Sequence, residues 1–350
     1  MSPSREPAEP VASKIQAATE AGGKTYGFAA SHDPARPVDR WFQRSTDGLV
    51  LFVIFYTQAC RWSTCTGCNL PSVASPTHVP YPAIARQIDH LLADAEVVAA
   101  KASIAKVIVS NNGSVLDEQT FPTTALMYLL ARLNLELPAM RVLGLETRAE
   151  YVDVVELEIL ARAMRERAVP AVLELAVGFE AFDETIRNRI FLKGLSLRTF
   201  EELVDRIRHP GFRLKCYFMQ KPVAALSDAE AVADVCAGID YLHGVAERSQ
   251  VAMNLHLNPT FVARGTPLEV EFLAGRYTPP RLRDVVRAVL HGEGKALSIF
   301  VGLNDEGMAV PGGSFLRDGD APIVAALEAF NQTQDYGELA RASRALGLDV

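Results

Sequence analysis

The sequence predicts an α/β fold built on a parallel sheet, and three observations carry that expectation. Six runs, at 49–57, 104–110, 140–146, 171–178, 212–219 and 251–259, are near-continuously apolar or rich in Val, Ile, Leu and aromatic residues. That is the pattern of strands buried on both faces. Longer segments of helical periodicity separate them. Six β-then-α units in succession imply parallel strands joined by right-handed crossovers. On periodicity alone, an open doubly wound sheet and a β/α barrel both fit this order.

In chain order, residues 1–25 are rich in Ala, Glu, Pro and Ser and read as a tail, and SHDPARP (31–37) reads as loop. The rhythm begins near residue 48. Helical patterns follow at 81–99, 123–134, 151–167, 197–208 and 228–242. Ser227 is placed to cap the last of these, with Glu230 completing a capping box. A seventh apolar run, 296–303, and helices near 321–330 and 335–346 are expected to complete or cap the sheet.

Composition bounds the function. The chain has 350 residues, 49% of them apolar and 22% charged, and a formal net charge of −7. This supports one sizeable core and argues against a protein that coats nucleic acid, which would be basic. The opening MSPSREPAEPVASK has charges and prolines but no apolar h-region, so no signal peptide is expected. No run approaches the roughly 18 apolar residues of a membrane span. The expected location is the cytoplasm, with no membrane and no DNA partner.

Three of the five cysteines, Cys60, Cys65 and Cys68, crowd one loop directly after the first predicted strand. An odd count with three packed together is a poor disulfide framework. Three thiolates on a tight loop can ligate three irons of a cubane and leave the fourth open. A structural zinc site would want four ligands, and the next candidate, His78, has no companion. A redox pair of Cys65 and Cys68 would leave Cys60 without a role. Cluster, zinc and thiol chemistry all stay open on these residues alone. Cys216 and Cys236 stand apart and are expected as small core residues.

A three-cysteine loop after the first strand of a six-unit β/α chain resembles the radical S-adenosylmethionine (SAM) superfamily. The spacing here is C-x4-C-x2-C, one residue longer than the usual C-x3-C-x2-C. This and the surrounding words resemble a narrower group, the archaeosine synthase radical SAM subunit and its relatives around the elongator radical SAM subunit. The likeness spans about residues 49–290. It rests on FYTQACRWSTCTGC, SNNGSVLDEQTFP (110–122), LETRAEYV (145–152), VGFEAFDETIRNRIFLKGLSLRTFEE (177–202), KCYFMQKP (215–222) and LNPTFVARGTPLEVEFLAGRYTPP (257–280). Phe179, Leu192 and Ala149 depart from the group's preferences.

The resemblance implies a partial (β/α)6 TIM-like radical SAM barrel with a C-terminal extension. Residues 1–45 would be tail and lead-in, 46–262 the barrel core and 263–350 a C-terminal cover. It implies a [4Fe–4S] cluster on Cys60, Cys65 and Cys68, and SAM as second cofactor. Asn112, Gly113 and Ser114 match the segment that contacts the SAM amino group. Glu146 and Glu180 match acids that accept from ribose hydroxyls. Lys193 matches a basic residue that pairs with the SAM carboxylate. Arg148 either serves the same end or pairs with Glu150. Gly67 stands where related loops offer backbone to the adenine.

On the fifth predicted strand, Lys215 and Tyr217 share one face and are expected to point inward, toward substrate. Asn258 shares a face with His256, for which a satisfied core or rim role is expected. These three, Lys215, Tyr217 and Asn258, are the substrate candidates. The expected activity is hydrogen abstraction from a small or medium-sized biosynthetic substrate, with a flavodoxin- or ferredoxin-like electron donor. The alternatives are modification of a tRNA base by carbon–nitrogen cleavage, as in archaeosine formation, and a non-catalytic iron–sulfur or zinc staple.

Overall fold

The structure, a computed structural model, describes residues 11–348. Its first element is a helix, α1 (Val11–Ala21), within the segment whose composition suggests a tail. One narrow face of α1 is apolar, and Ile15 is buried there with Ala59 and Ala74. Residues 1–10 of that expected tail lie outside the described residues.

The sheet begins with β1 (Asp39–Ser45) and β2 (Gly48–Ile54), an antiparallel pair. The β1 sequence, DRWFQRS, is half-exposed and carries charge at Asp39, Arg40 and Arg44. Such an edge strand lacks the continuous apolar run that marks the others, and so escapes a search for buried strands. After β2 come α2 (Tyr81–Ala93), α3 (Ala95–Ala100), β3 (Ile104–Ser110), α4 (Thr123–Glu136), β4 (Val142–Thr147), α5 (Val154–Arg165) and β5 (Val172–Glu180). They are followed by α6 (Leu197–Arg208), β6 (Arg213–Gln220), α7 (Asp228–Ser249), β7 (Met253–Pro259), α8 (Pro267–Leu273), α9 (Leu282–Leu290), β8 (Ser298–Val301), α10 (Ala321–Thr333) and α11 (Tyr336–Ala345).

The strand order is β1 through β8 without a break, and every pair from β2 to β8 is parallel. A doubly wound sheet reverses its strand order at a switch point. This one never does, so right-handed crossovers place every connecting helix on one face. Side chains alternate accordingly. Leu51, Val53, Val107, Leu143, Leu175, Cys216 and Leu257 join the main core under the helices. Val50, Phe52, Ile54 and Ile108 form a separate cluster on the opposite face.

That opposite face is concave. Neighbouring strands lie roughly 4.8 Å apart, so β2 and β6 would be separated by roughly 19 Å in a flat sheet. Yet Asp47, in the β1–β2 turn, accepts from Arg213 on β6 at 2.8 Å. Glu146 on β4 likewise accepts from Tyr217 on β6 at 2.5 Å. Only a curled sheet brings these residues together, and the fold is a partial barrel, as expected from the sequence.

The seam between β1 and β8 is filled by α10, which packs on both. Its Asn331 and Gln334 amides bond the exposed backbone of β8. Val301 N and Ile299 N donate at 2.8 Å each, and Val301 O and Ile299 O accept at 2.9 and 2.7 Å. Two side chains thus satisfy the edge that another strand would have covered. Local signals set the helix limits. Asp94 splits the expected 81–99 helix by capping α3 at Glu96 N and Val97 N. The Ser227–Glu230 capping box opens α7, which runs seven residues past the expected 242, to Ser249.

Candidate functional site

The cysteine loop leaves β2 at the end of the sheet where all the parallel strands finish. Phe55 prolongs the strand by donating to Ser110 O at 2.8 Å. The loop then docks on three walls. Toward the β3 end, Arg61 grips the Asp117 carboxylate at 2.6 and 2.7 Å, and Cys60 packs against Gly113, where a Cβ would stand 3.3 Å from its Cα. Toward the β5 end, Trp62 donates to Leu192 O at 2.9 Å, and Thr66 N donates to Phe191 O at 3.0 Å. The Trp62 ring lies on Gly194, which has a φ of 70° and leaves no room for a side chain. The third wall is N-terminal. Lys24 donates to Ser63 O at 2.6 Å and Tyr26 to Cys68 O at 3.1 Å.

The three thiols share one neighbourhood. Burial, and then the charges of Cys68, Cys60 and Cys65, push the Tyr26 hydroxyl well above its ordinary range. Burial pushes the Cys65 thiol up to about 12, against the opposing pull of Lys193. Cys68 is raised by burial as well, against Lys24. Among the described residues, no three His, Cys, Asp or Glu side chains converge tightly enough to grip a single metal ion. His78 lies apart from the loop's thiols, against Gln119 O. The donor set that remains is three soft sulfur ligands on one loop, which fits an iron–sulfur cluster with one iron left open.

Residues from the next strand ends surround this loop. After β3, Asn112 has a φ of 56°. Its Nδ2 is buried without a partner, and so is Asn111 Oδ1. Ser114 is engaged, its hydroxyl 2.6 Å from Thr147 Oγ1. Glu146, on β4, is pushed above its usual carboxylate range by burial, against hydrogen bonds from Ser110 and Tyr217. Arg148 pairs with Glu150, donates to Lys193 O at 3.0 Å, and stacks 4.3 Å over Trp62.

β5 ends in a bulge at Gly178–Glu180. Glu180 has a φ of 73°, and its carboxylate pairs with Lys193 at 2.8 Å. A Cβ on Gly178 would collide with both groups. Burial disfavours the Lys193 charge, but Glu180 and Cys65 outweigh it and hold the ammonium. The loop carrying Lys193 is anchored by Arg187. This fully buried side chain donates to Leu195 O, Ala181 O and Phe182 O at 2.7–2.9 Å. Gly67 packs against the Phe191 ring of the same loop.

Lys215 and Tyr217 face the concavity while Cys216 lies in the helix-side core. The two inward residues occupy different depths. Lys215 sits toward the strand starts, donating to Asn254 Oδ1 at 2.6 Å. Beside it Asp47, Lys106, Glu174 and Arg213 form a ring of ion pairs of 2.6–3.1 Å. Burial, then Lys106, depress the Lys215 ammonium to about 7. Tyr217 and Asn258 lie nearer the mouth, with Asn258 against Gly302. His256 stacks between Tyr217 and Phe300 at 4.7 Å from each. Its Nδ1 has no partner, so it is less satisfied than expected. Burial holds it neutral.

Lys24, Tyr26, Ser110 and Asn111 were not singled out by the sequence. Lys24 falls in the segment read as tail and Tyr26 just after it, and the available signal was the Gly22-Gly23 helix stop before them. Among the described residues, no helix is long and apolar enough to cross a membrane.

No family model matches the chain. Archaeosine synthase subunit beta of Methanosarcina acetivorans is 26% identical over 300 residues, 83% of this chain and 81% of that protein. The chain is similar in sequence to archaeosine synthase subunit beta. The resemblance drawn from residues 49–290 is thus the one a direct comparison returns. An uncharacterized protein of Methanocaldococcus jannaschii is 22% identical over 262 residues, 73% of this chain and 68% of that one. Among solved structures, Elp3 of Methanocaldococcus infernus aligns with a TM-score of 0.48 at 12% identity, covering 77% of this chain; this chain spans 59% of that one. Methylornithine synthase (PylB) aligns with a TM-score of 0.44 at 13% identity, covering 99% and 90%. The fold described above stands on its own strand order and inner-face contacts.

Proposed function

We propose that this chain is a radical SAM enzyme, with a [4Fe–4S] cluster on Cys60, Cys65 and Cys68. The observation that supports it most is a convergence. Cys60 lies against Gly113 after β3, and Cys65 feels the Lys193–Glu180 pair after β5. A loop that merely stapled the fold would need neither neighbour. When bound, the cluster supplies the electron that cleaves SAM to a 5′-deoxyadenosyl radical, which abstracts hydrogen from substrate.

The chain's own residues would bind and orient SAM. Lys193 would donate to its carboxylate, and Glu180 and Glu146 would accept from ribose hydroxyls. The buried, unpartnered amide of Asn112 and the backbone of Gly113 and Ser114 would meet its amino-acid end. Arg148 would act through Trp62 and the Lys193 loop, and Gly67 would border the adenine. Substrate would enter the concave face beside Tyr217 and Asn258, with Lys215 beneath.

A small or medium-sized substrate fits the acidic chain. Of the basic group Arg187–Lys193, Arg187 is taken up by backbone carbonyls and Lys193 by Glu180 and SAM, which leaves little for phosphates. The second reading, cleavage at a modified tRNA base, is favoured by the similarity to archaeosine synthase subunit beta over most of both chains. Micromolar, salt-sensitive binding to bulk tRNA would establish the second reading over the first. The central test is anaerobic reconstitution with iron and sulfide, followed by SAM and dithionite. The expected result is a brown protein with about four irons per chain that releases 5′-deoxyadenosine. Alanine at any one of the three cysteines should abolish both. Full iron content in such a variant, or zinc retained in its place, would return the loop to a structural role.

A further inference from the structure

Lys24 is 3% exposed, and local sequence explains how it gets there. Gly23, with a φ of 71°, ends α1 in a Schellman turn. Gly23 N donates to Glu20 O at 2.8 Å and Lys24 N to Thr19 O at 3.2 Å. The turn reverses the chain and sends the Lys24 side chain against the cysteine loop. There it donates to Ser63 O and lies 5.4 Å over the Tyr26 ring. Gly22 packs on Thr64 O, and Thr25 N donates to Gly265 O at 2.9 Å, so the segment is held at both ends.

This ammonium is unlike the chain's other buried ones. Lys106, Lys193 and Lys221 each have a carboxylate within 3.0 Å. Lys215 has its charge depressed instead. Lys24 has no carboxylate within ion-pair distance among the described residues, and one carbonyl serves three N–H donors. Burying a cation without a counter-charge is strongly unfavourable. The loop it grips carries the Cys68 thiol, which burial raises and the Lys24 charge pulls back.

We propose that Lys24 is the built-in counter-charge of the thiolate-bound cluster, a residue that raises the cluster's reduction potential, and that Tyr26 positions the loop beside it. The inference rests on the cluster reading above. Reduction adds negative charge to the cluster, and a fixed cation in a low-dielectric wall favours the reduced form.

The test compares the wild-type chain with Lys24→Met, Lys24→Gln and Lys24→Arg, each reconstituted anaerobically. Iron content and the midpoint potential, followed by the EPR signal of the reduced cluster, are measured. Wild type and Lys24→Arg should share a potential, and Lys24→Gln and Lys24→Met should shift to more negative values with iron retained. Gln keeps a donor for Ser63 O, so it separates charge from packing even if Met loses iron. A wild-type potential in a cluster-loaded Lys24→Gln overturns the inference and leaves the cluster reading standing. A wild-type chain that takes up no iron overturns both.

Discussion

Lys193 and Glu180 form a largely buried ion pair of 2.8 Å beside Cys65, and Gly178 leaves the space that both groups occupy. Each charge is therefore both a candidate SAM contact and a structural partner of the other. Lys193→Ala should lower the stability of the metal-free protein by about 3 kcal/mol, because it strands a buried carboxylate. It should also weaken SAM binding by about 1.5–3 kcal/mol, roughly 10- to 150-fold. Replacing both partners, as Lys193→Met with Glu180→Gln, should destabilise by clearly less than the sum of the singles. Urea unfolding supplies the cycle and calorimetric titration the affinity. Strict additivity, or unchanged SAM affinity in both single variants, would remove the pair from the site.

Gly178→Ala tests the same pair from the backbone side. The added methyl collides with the Glu180 carboxylate and the Lys193 ammonium, so the pair must separate. The expected cost is about 1–3 kcal/mol in urea unfolding, with SAM affinity reduced in parallel. A variant as stable and as tight-binding as wild type would mean that the pair moves freely.

Acid should loosen the barrel floor through Asp47. Burial pushes this carboxyl up, but Arg213 and Lys106 outweigh burial and hold it well below its usual range. A depressed folded value means that its contribution is complete above the unfolded carboxyl range, about pH 4, and fades as pH falls further. Asp47→Asn should make the acid limb of the stability curve shallower and lower the plateau. An acid limb of unchanged slope would place the transition elsewhere.

Lys215 should give a slope of the same sign, but at alkaline pH. Its folded value lies near 7, against about 10.4 for an unfolded lysine. Between those limits the unfolded chain binds a proton that the folded chain does not. Stability should therefore rise from pH 7 toward about 10, by at most about 1.4 kcal/mol per unit. Lys215→Met should flatten that rise and be more stable than wild type near neutrality. A variant with the wild-type alkaline slope would show that Lys215 stays charged in the fold.

Some elements were visible in the sequence because their causes are local. The run 104–110 became β3 and 197–208 became α6 without change, one continuously buried and the other strongly amphipathic. The Ser227–Glu230 box formed as its spacing requires. Elements with mixed or polar sequences escaped. β1 sets Trp41 and Phe42 between Asp39–Arg40 and Arg44, and becomes a strand by pairing with β2. α1 has one buried stripe on a polar helix, and only the cysteine loop's outer wall shows what that stripe is for.

The order of the parallel strands, the three thiols after the first of them, and Asn112, Glu146 and Glu180 at or near strand ends are all legible in the sequence. Each follows from hydrophobic period and short-range spacing. The curl of the sheet, by which Asp47 meets Arg213 and Glu146 meets Tyr217, comes from tertiary packing alone. So do the stacking of Arg148 on Trp62, the place of Lys215 among ion pairs at the floor, and the closing of Lys24 on the cysteine loop. These contacts join residues from 39 to 166 positions apart. No periodicity encodes such meetings; they exist because a right-handed winding with no reversal of strand order folds one face inward, and the groups on that face must then satisfy one another away from water.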